Sequence, residues 1–123
     1  MIARKKLMVA IAMMASNSTS IAYATPFDGL YAPANSFESW SCKASELGGD
    51  GGAVGVENGY LRGVENACEL TKPTDIRGMA AILYDAICSG EGEQYTQRVM
   101  LMRHDSGIYV IQDGYSAEWR SCP

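Results

Sequence analysis

Ala80-Ala81-Ile82-Leu83-Tyr84-Asp85-Ala86-Ile87-Cys88-Ser89-Gly90-Glu91-Gly92-Glu93 is the stretch whose reading decides the fold. Two periodicities compete in it. Ile76, Met79, Ala80, Leu83 and Ile87 recur at helical spacing, with Asp75 as a candidate N-cap and Gly90 as a candidate C-cap. Ile82, Tyr84, Ala86 and Cys88 instead alternate, as one face of a half-buried strand does. Gly78 would weaken the first turn of a helix, and the segments on either side are themselves β-like. The strand is therefore the preferred reading of residues 76–88, with the helix as its competitor.

Upstream, Asn58-Gly59 suits the positive φ angles of a two-residue type I′ hairpin turn. Such a turn pairs Val56 with Leu61 on one face and leaves Glu57 and Tyr60 on the other. Alternation resumes at residues 65–70, with Cys68 and Leu70 facing the core and Glu65 and Glu69 facing away. Residues 71–78, with Pro73 and Gly78, read as a connection. Residues 25–41 carry a short first strand near residues 29–32 and the apolar anchors Phe27, Tyr31, Phe37 and Trp40. Gly48-Gly49-Asp50-Gly51-Gly52 reads as a flexible turn, because it lacks the Lys-Ser/Thr end of a phosphate-binding loop and holds one carboxylate, too few for calcium.

Downstream, residues 95–104 and 108–112 form a second hairpin around Asp105-Ser106-Gly107, a three-residue loop that suits a G1 bulge. Val99, Met100, Leu101 and Met102 are consecutive, which predicts a central strand covered on both faces. Asp113-Gly114 turns the chain into a last strand over residues 116–122, with Trp119 as its large apolar residue. About seven or eight short strands joined by tight turns define an all-β fold, a small antiparallel up-and-down barrel or sandwich.

Residues 1–24 read as a secretory signal: Arg4, Lys5 and Lys6 precede an apolar run over residues 7–15, and Ala22-Tyr23-Ala24 offers a cleavage site. The run is broken by Ser16 to Ser20, short of the roughly 20 residues that span a membrane. Residues 25–123 then form one domain of 99 residues, with no membrane insertion expected after cleavage. The leader takes three of the ten basic residues and none of the 14 acidic ones, so the net charge passes from −4 to −7. That balance argues against nucleic acid and against an anionic membrane surface.

Cys42, Cys68, Cys88 and Cys122 all lie beyond the leader, and an even count in an exported chain implies two disulfides. Spacings of 26, 20 and 34 contain no zinc-type pair, so no metal is expected. Of the three connectivities, Cys68 with Cys88 and Cys42 with Cys122 is preferred: the first joins neighbouring strands across a short connection, and the second fastens the two ends of the domain.

The elements Cys88-Ser89-Gly90-Glu91-Gly92, Arg98 and Trp119-Arg120-Ser121-Cys122-Pro123 resemble those of small exported bacterial proteins of unassigned function. That resemblance covers under a fifth of the exported chain, and Trp119 and Ser121 stand where tyrosine and arginine are commoner. It implies a periplasmic β-domain with paired cysteines and brings no activity with it.

Groups able to do chemistry are few. His104, the only histidine, sits beside Asp105 and reads as a solvated turn residue with no activated serine in reach. Glu91 and Glu93 flank Gly92 and could serve as a carboxylate pair on a glycosidic bond, with Arg98 near enough to pair with either; an acidic solvated turn is the plainer reading. The expectation is therefore a periplasmic or secreted binding or inhibitory module, not an enzyme, with no cofactor. Its acidic surface, with Glu57, Glu65, Glu69, Glu91 and Glu93 as candidates, would meet a cationic protein or peptide such as a lysozyme-like hydrolase. The alternatives are a small-molecule-binding barrel using Met100, Met102, Tyr84 and Trp119, a structural envelope protein and, least favoured, a Glu91/Glu93 hydrolase.

Overall fold

The computed structural model describes residues 24–35 and 39–123. Eight strands follow one another: β1 (Gly29–Pro33), β2 (Val54–Glu57), β3 (Tyr60–Gly63), β4 (Asn66–Asp75), β5 (Ala81–Gly90), β6 (Glu93–His104), β7 (Gly107–Gln112) and β8 (Tyr115–Ser121). Each is antiparallel to the next, and β8 returns to β1 through Tyr31–Ser121, Ala32–Arg120 and Pro33–Trp119, so the sheet closes into an up-and-down barrel. The only helical element among the described residues is a 3-10 turn at Ala44–Glu46 in the long β1–β2 loop.

Local chemistry sets the hairpins. Asn58 and Gly59 take φ of 52° and 78°, and the turn pairs Val56 with Leu61 and Glu57 with Tyr60. Glu91 and Gly92 repeat that geometry at 52° and 77°. Side-chain alternation then divides inside from outside. Val54, Val56, Leu61, Cys68, Tyr84, Ala86, Cys88, Val99, Leu101, Ile108 and Val110 point inward and are 0–4% exposed. Each large aliphatic side chain so buried contributes about 1.5–3 kcal/mol. One end of the barrel is plugged by Phe27, whose carbonyl accepts a 2.5 Å hydrogen bond from the Tyr31 hydroxyl, while the Arg103 guanidinium lies 5.9 Å from the Phe27 ring centre.

Cys68 and Cys88 face each other across β4 and β5 and are bonded. Cys42 in the β1–β2 loop is bonded to Cys122, which follows β8 and donates its N–H to the Leu30 carbonyl on β1. Both expected pairings are present.

Several expectations are corrected. Residues 80–90 do hold a strand, but it begins at Ala81, and residues 76–80 form the turn before it. Residues 71–75 are not a connection: β4 runs on to Asp75 through a register shift between Thr71 and Thr74, where Lys72 takes a φ of 51° and Pro73 escapes the ladder. Glu65 belongs to the β3–β4 turn and not to the strand, with a φ of 55°. The β6–β7 turn has two residues, and Gly107 pairs with His104 inside β7. Glycine is needed there because a Cβ would sit 2.0 Å from the Trp119 carbonyl oxygen, not because of a left-handed φ. Strand β6 is not covered on both faces. Val99 and Leu101 point into the core, whereas Met100 and Met102 lie half-buried on the outer wall beside Ile111 and Tyr109. Phe37, and the expected leader apart from Ala24, lie outside the described residues.

Burial raises the pKa of the Tyr31 and Tyr84 hydroxyls above their ordinary 10.0. At Tyr31 the nearby Arg103 offsets part of this and Asp28 adds to it; at Tyr84 both Asp28 and Asp75 add to it. Because the folded-state values are the higher, the stability they contribute is whole below pH 10 and is lost as pH rises through them. The urea midpoint should therefore fall above pH 10, and Tyr84→Phe should flatten that fall. An unchanged alkaline slope in the variant would contradict it.

Candidate functional site

The closed sheet places side chains from distant parts of the sequence in transverse rows on its outer wall. One row runs Gly55, Arg62, Ala67, Ser89 and Gln94 across β2 to β6. The next, two residues along, runs Glu57, Tyr60, Glu69, Ile87 and Thr96. The β1–β2 loop folds over the start of the first row. Leu47 bridges to Ala53, the Gly48 N–H donates to the Ala53 carbonyl, and the Gly48 carbonyl accepts the Glu65 N–H, both at 2.9 Å. Leu47 can lie there because position 55 has no side chain: a Cβ would come within 3.1 Å of Leu47 Cδ1.

Between this loop and the β5–β6 turn lies an open groove of about 630 Å³, within the range of small-ligand and peptide sites. Arg62, Asn66, Ser89 and Gln94 line it together with Glu65 and Glu93. The Arg62 guanidinium lies 5.4 Å from the Tyr60 ring centre, and its Nε is buried with no hydrogen-bond partner. Beside the groove, the second row exposes Tyr60 (36%) and Ile87 (39%) with Glu57 and Glu69 flanking Tyr60. Large apolar side chains ringed by charge are the pattern of protein-contact surfaces.

Of the sequence candidates, the structure thus brings Glu65 and Glu93 to one groove and sets Glu57 and Glu69 on either side of Tyr60. Glu91 lies apart from the groove lining, at the tip of the β5–β6 turn. Arg98 pairs with neither Glu91 nor Glu93. It reaches Asp85 at 3.4 Å, and Lys72 approaches the same carboxylate at 3.9 Å, because Asp85 and Arg98 are direct cross-strand neighbours. His104 is not a free turn residue. It ends β6, its ring lies 4.5 Å from that of Tyr109, its Nδ1 accepts the Ser106 N–H, and its Nε2 lies 3.8 Å from Glu118 on β8. The interior is filled: Tyr84 and Trp119, 3% and 8% exposed, are core side chains, and the two methionines face outward. A second, smaller cleft of about 230 Å³ sits at the Phe27 end, lined by Met79, Ile82 and Arg103 among others. Among the described residues no group of three His, Cys, Asp or Glu side chains is placed to hold a metal, and no helix is long and apolar enough to cross a membrane.

Arg62, Asn66, Ser89 and Gln94 are groove residues that composition and local pattern do not mark. Arg62, Ser89 and Gln94 share a row only through three successive strand registers, and Asn66 stands one position from that row beside Ala67, so only the register of every hairpin, worked out in turn, could have found them.

Comparison of the chain with protein-family models, with curated proteins and with solved structures finds no match.

Proposed function

We propose that the chain is an exported binding or inhibitory module, periplasmic or secreted, that engages a cationic protein or peptide through the outer face of β2 to β6. The supporting observation is that Glu65 and Glu93 both line one groove, beside the Glu57–Tyr60–Glu69–Ile87 row. The two disulfides fit an oxidising compartment outside the cytoplasm. The acidic side chains draw a basic partner in over about a Debye length, near 8 Å at physiological salt, and Tyr60 and Ile87 supply the dry contact once it has arrived. A small-molecule barrel is a weaker reading because the core is occupied by its own side chains. The test is a titration of the disulfide-bonded chain against a panel of basic hydrolases, lysozyme-like enzymes included, with acidic proteins of similar size as controls. Saturable binding confined to basic members and weakened by salt is expected. Absence of saturable binding to every basic member contradicts the reading and leaves the acids as a solubilising surface.

A further inference from the structure

The barrel is closed, but its ladders are not of equal length. Strand β5 pairs with β6 from Glu93 to Met102, whereas β7 pairs with β6 only from Val99 to His104. Residues 93–98 therefore have a strand on one side alone. The Arg103 N–H donates to the Ala80 carbonyl on the β5 side, so odd-numbered positions of β6 turn their backbone groups toward β5. Even-numbered positions turn away. Gln94, Thr96 and Arg98 thus present three N–H donors and three carbonyl acceptors at the free edge, and none of them bonds another strand or loop among the described residues.

A second edge of this kind shows what protection looks like. Strand β4 runs past the end of β3 over residues 71–75, and there it carries a bulge, Lys72 with a φ of 51° and Pro73. Bulge, lysine and proline are the devices that stop an edge from recruiting another strand. The β6 edge has none of them: its register with β5 is unbroken, and Gln94, Tyr95, Thr96 and Gln97 form an uncharged stretch with two good strand formers.

Resting on the function proposed above, we propose that the partner's contact with the β2–β6 face continues onto this edge at the Thr96 end of the Glu57–Tyr60–Glu69–Ile87–Thr96 row, where an extended basic segment of the partner is added antiparallel or parallel to residues 93–98 of β6. Charge selects the occupant. Glu91 and Glu93 are exposed at one end of the edge, Glu65 stands across the adjoining groove, and the one cation on the edge, Arg98, is held by Asp85 at 3.4 Å. Backbone bonds to Gln94, Thr96 and Arg98 supply a register that is independent of the partner's side chains, and the acids favour lysine or arginine in the added strand.

The probe is a seven-residue peptide, Lys-Thr-Val-Thr-Lys-Val-Lys with blocked ends. Its control has the same charge with two adjacent central amides N-methylated, so that neither edge of the peptide can complete a ladder. The unmodified peptide should slow amide hydrogen exchange at Gln94 and Thr96 at least about tenfold at saturation, and the methylated peptide should bind at least about tenfold more weakly. The variant Thr96→Pro, which removes a donor only from the free edge, should fold with its thermal transition retained and lose the difference between the two peptides. Equal binding of both peptides at low salt without protection at Gln94 and Thr96 overturns the strand addition and leaves the acidic-surface reading standing. Failure of both peptides to bind overturns the two together. Protection of Gln94 and Thr96 that rises with protein concentration in the absence of peptide assigns the edge to a second copy of this chain and overturns the peptide assignment.

Discussion

Replacing Cys42 and Cys122 together by alanine should lower the unfolding free energy by about 4.5 kcal/mol, since their bridge closes a separation of 80 residues. Typical small-domain stabilities are about 5–15 kcal/mol, so the variant stands close to unfolding at body temperature. The loss has a structural location as well as a magnitude. Cys122 donates to the Leu30 carbonyl beside the β1–β8 pairing that closes the barrel, so the seam from Tyr31 to Pro33 should exchange its amides first. Urea denaturation with hydrogen exchange reads both quantities. A variant within about 1 kcal/mol of the parent, with no change at the seam, would show that the barrel closes without its outer staple. The 20-residue Cys68–Cys88 loop contributes about 3 kcal/mol by the same argument.

Trp119→Ala should cost about 3–5 kcal/mol, the range for emptying a large aromatic site in a core that cannot collapse around it. Trp119 pairs with Ile108 on β7 and Pro33 on β1, and its ring centre lies 6.3 Å from that of Tyr31. It therefore belongs both to the core and to the closing seam. Trp40, packed against the core from the β1–β2 loop, is a loop residue and should cost less when truncated. Thermal or urea unfolding of the two alanine variants checks the order, and an equal or larger loss at Trp40 would contradict it.

The fold was legible where local chemistry is unambiguous. Asn58-Gly59 fixed a hairpin because few other pairs accept two successive positive φ angles, and Ile82, Tyr84, Ala86 and Cys88 marked the inner face of β5. The cysteine pairing followed because Cys68 and Cys88 sit on strands joined by a short turn. Legibility failed where a tertiary circumstance overrode a local rule. Pro73 looked like the end of a strand, yet a bulge carries it past the ladder. Met100 and Met102 looked like a covered face, yet in a single closed layer alternate residues meet solvent and only cross-strand neighbours half-bury them. His104 looked solvated, yet Tyr109 and Glu118 reach it from two other strands. The acids Glu57, Glu65, Glu69 and Glu93 could be named individually. Their grouping around Tyr60 and the groove is a property of register, which no single segment encodes.

The central claim, that acidic side chains of the β2–β6 face guide a cationic partner onto the barrel, is tested most directly by association kinetics. The partner is the tightest basic hydrolase of the panel, and the comparison is the parent chain against Glu65→Gln/Glu69→Gln/Glu93→Gln at about 20 mM and about 500 mM salt. At low salt the triple variant should associate about tenfold more slowly, with its dissociation rate changed by less than about twofold, and at high salt the two proteins should be indistinguishable. Equal association rates at low salt, or a loss carried by dissociation at both salts, would contradict the account.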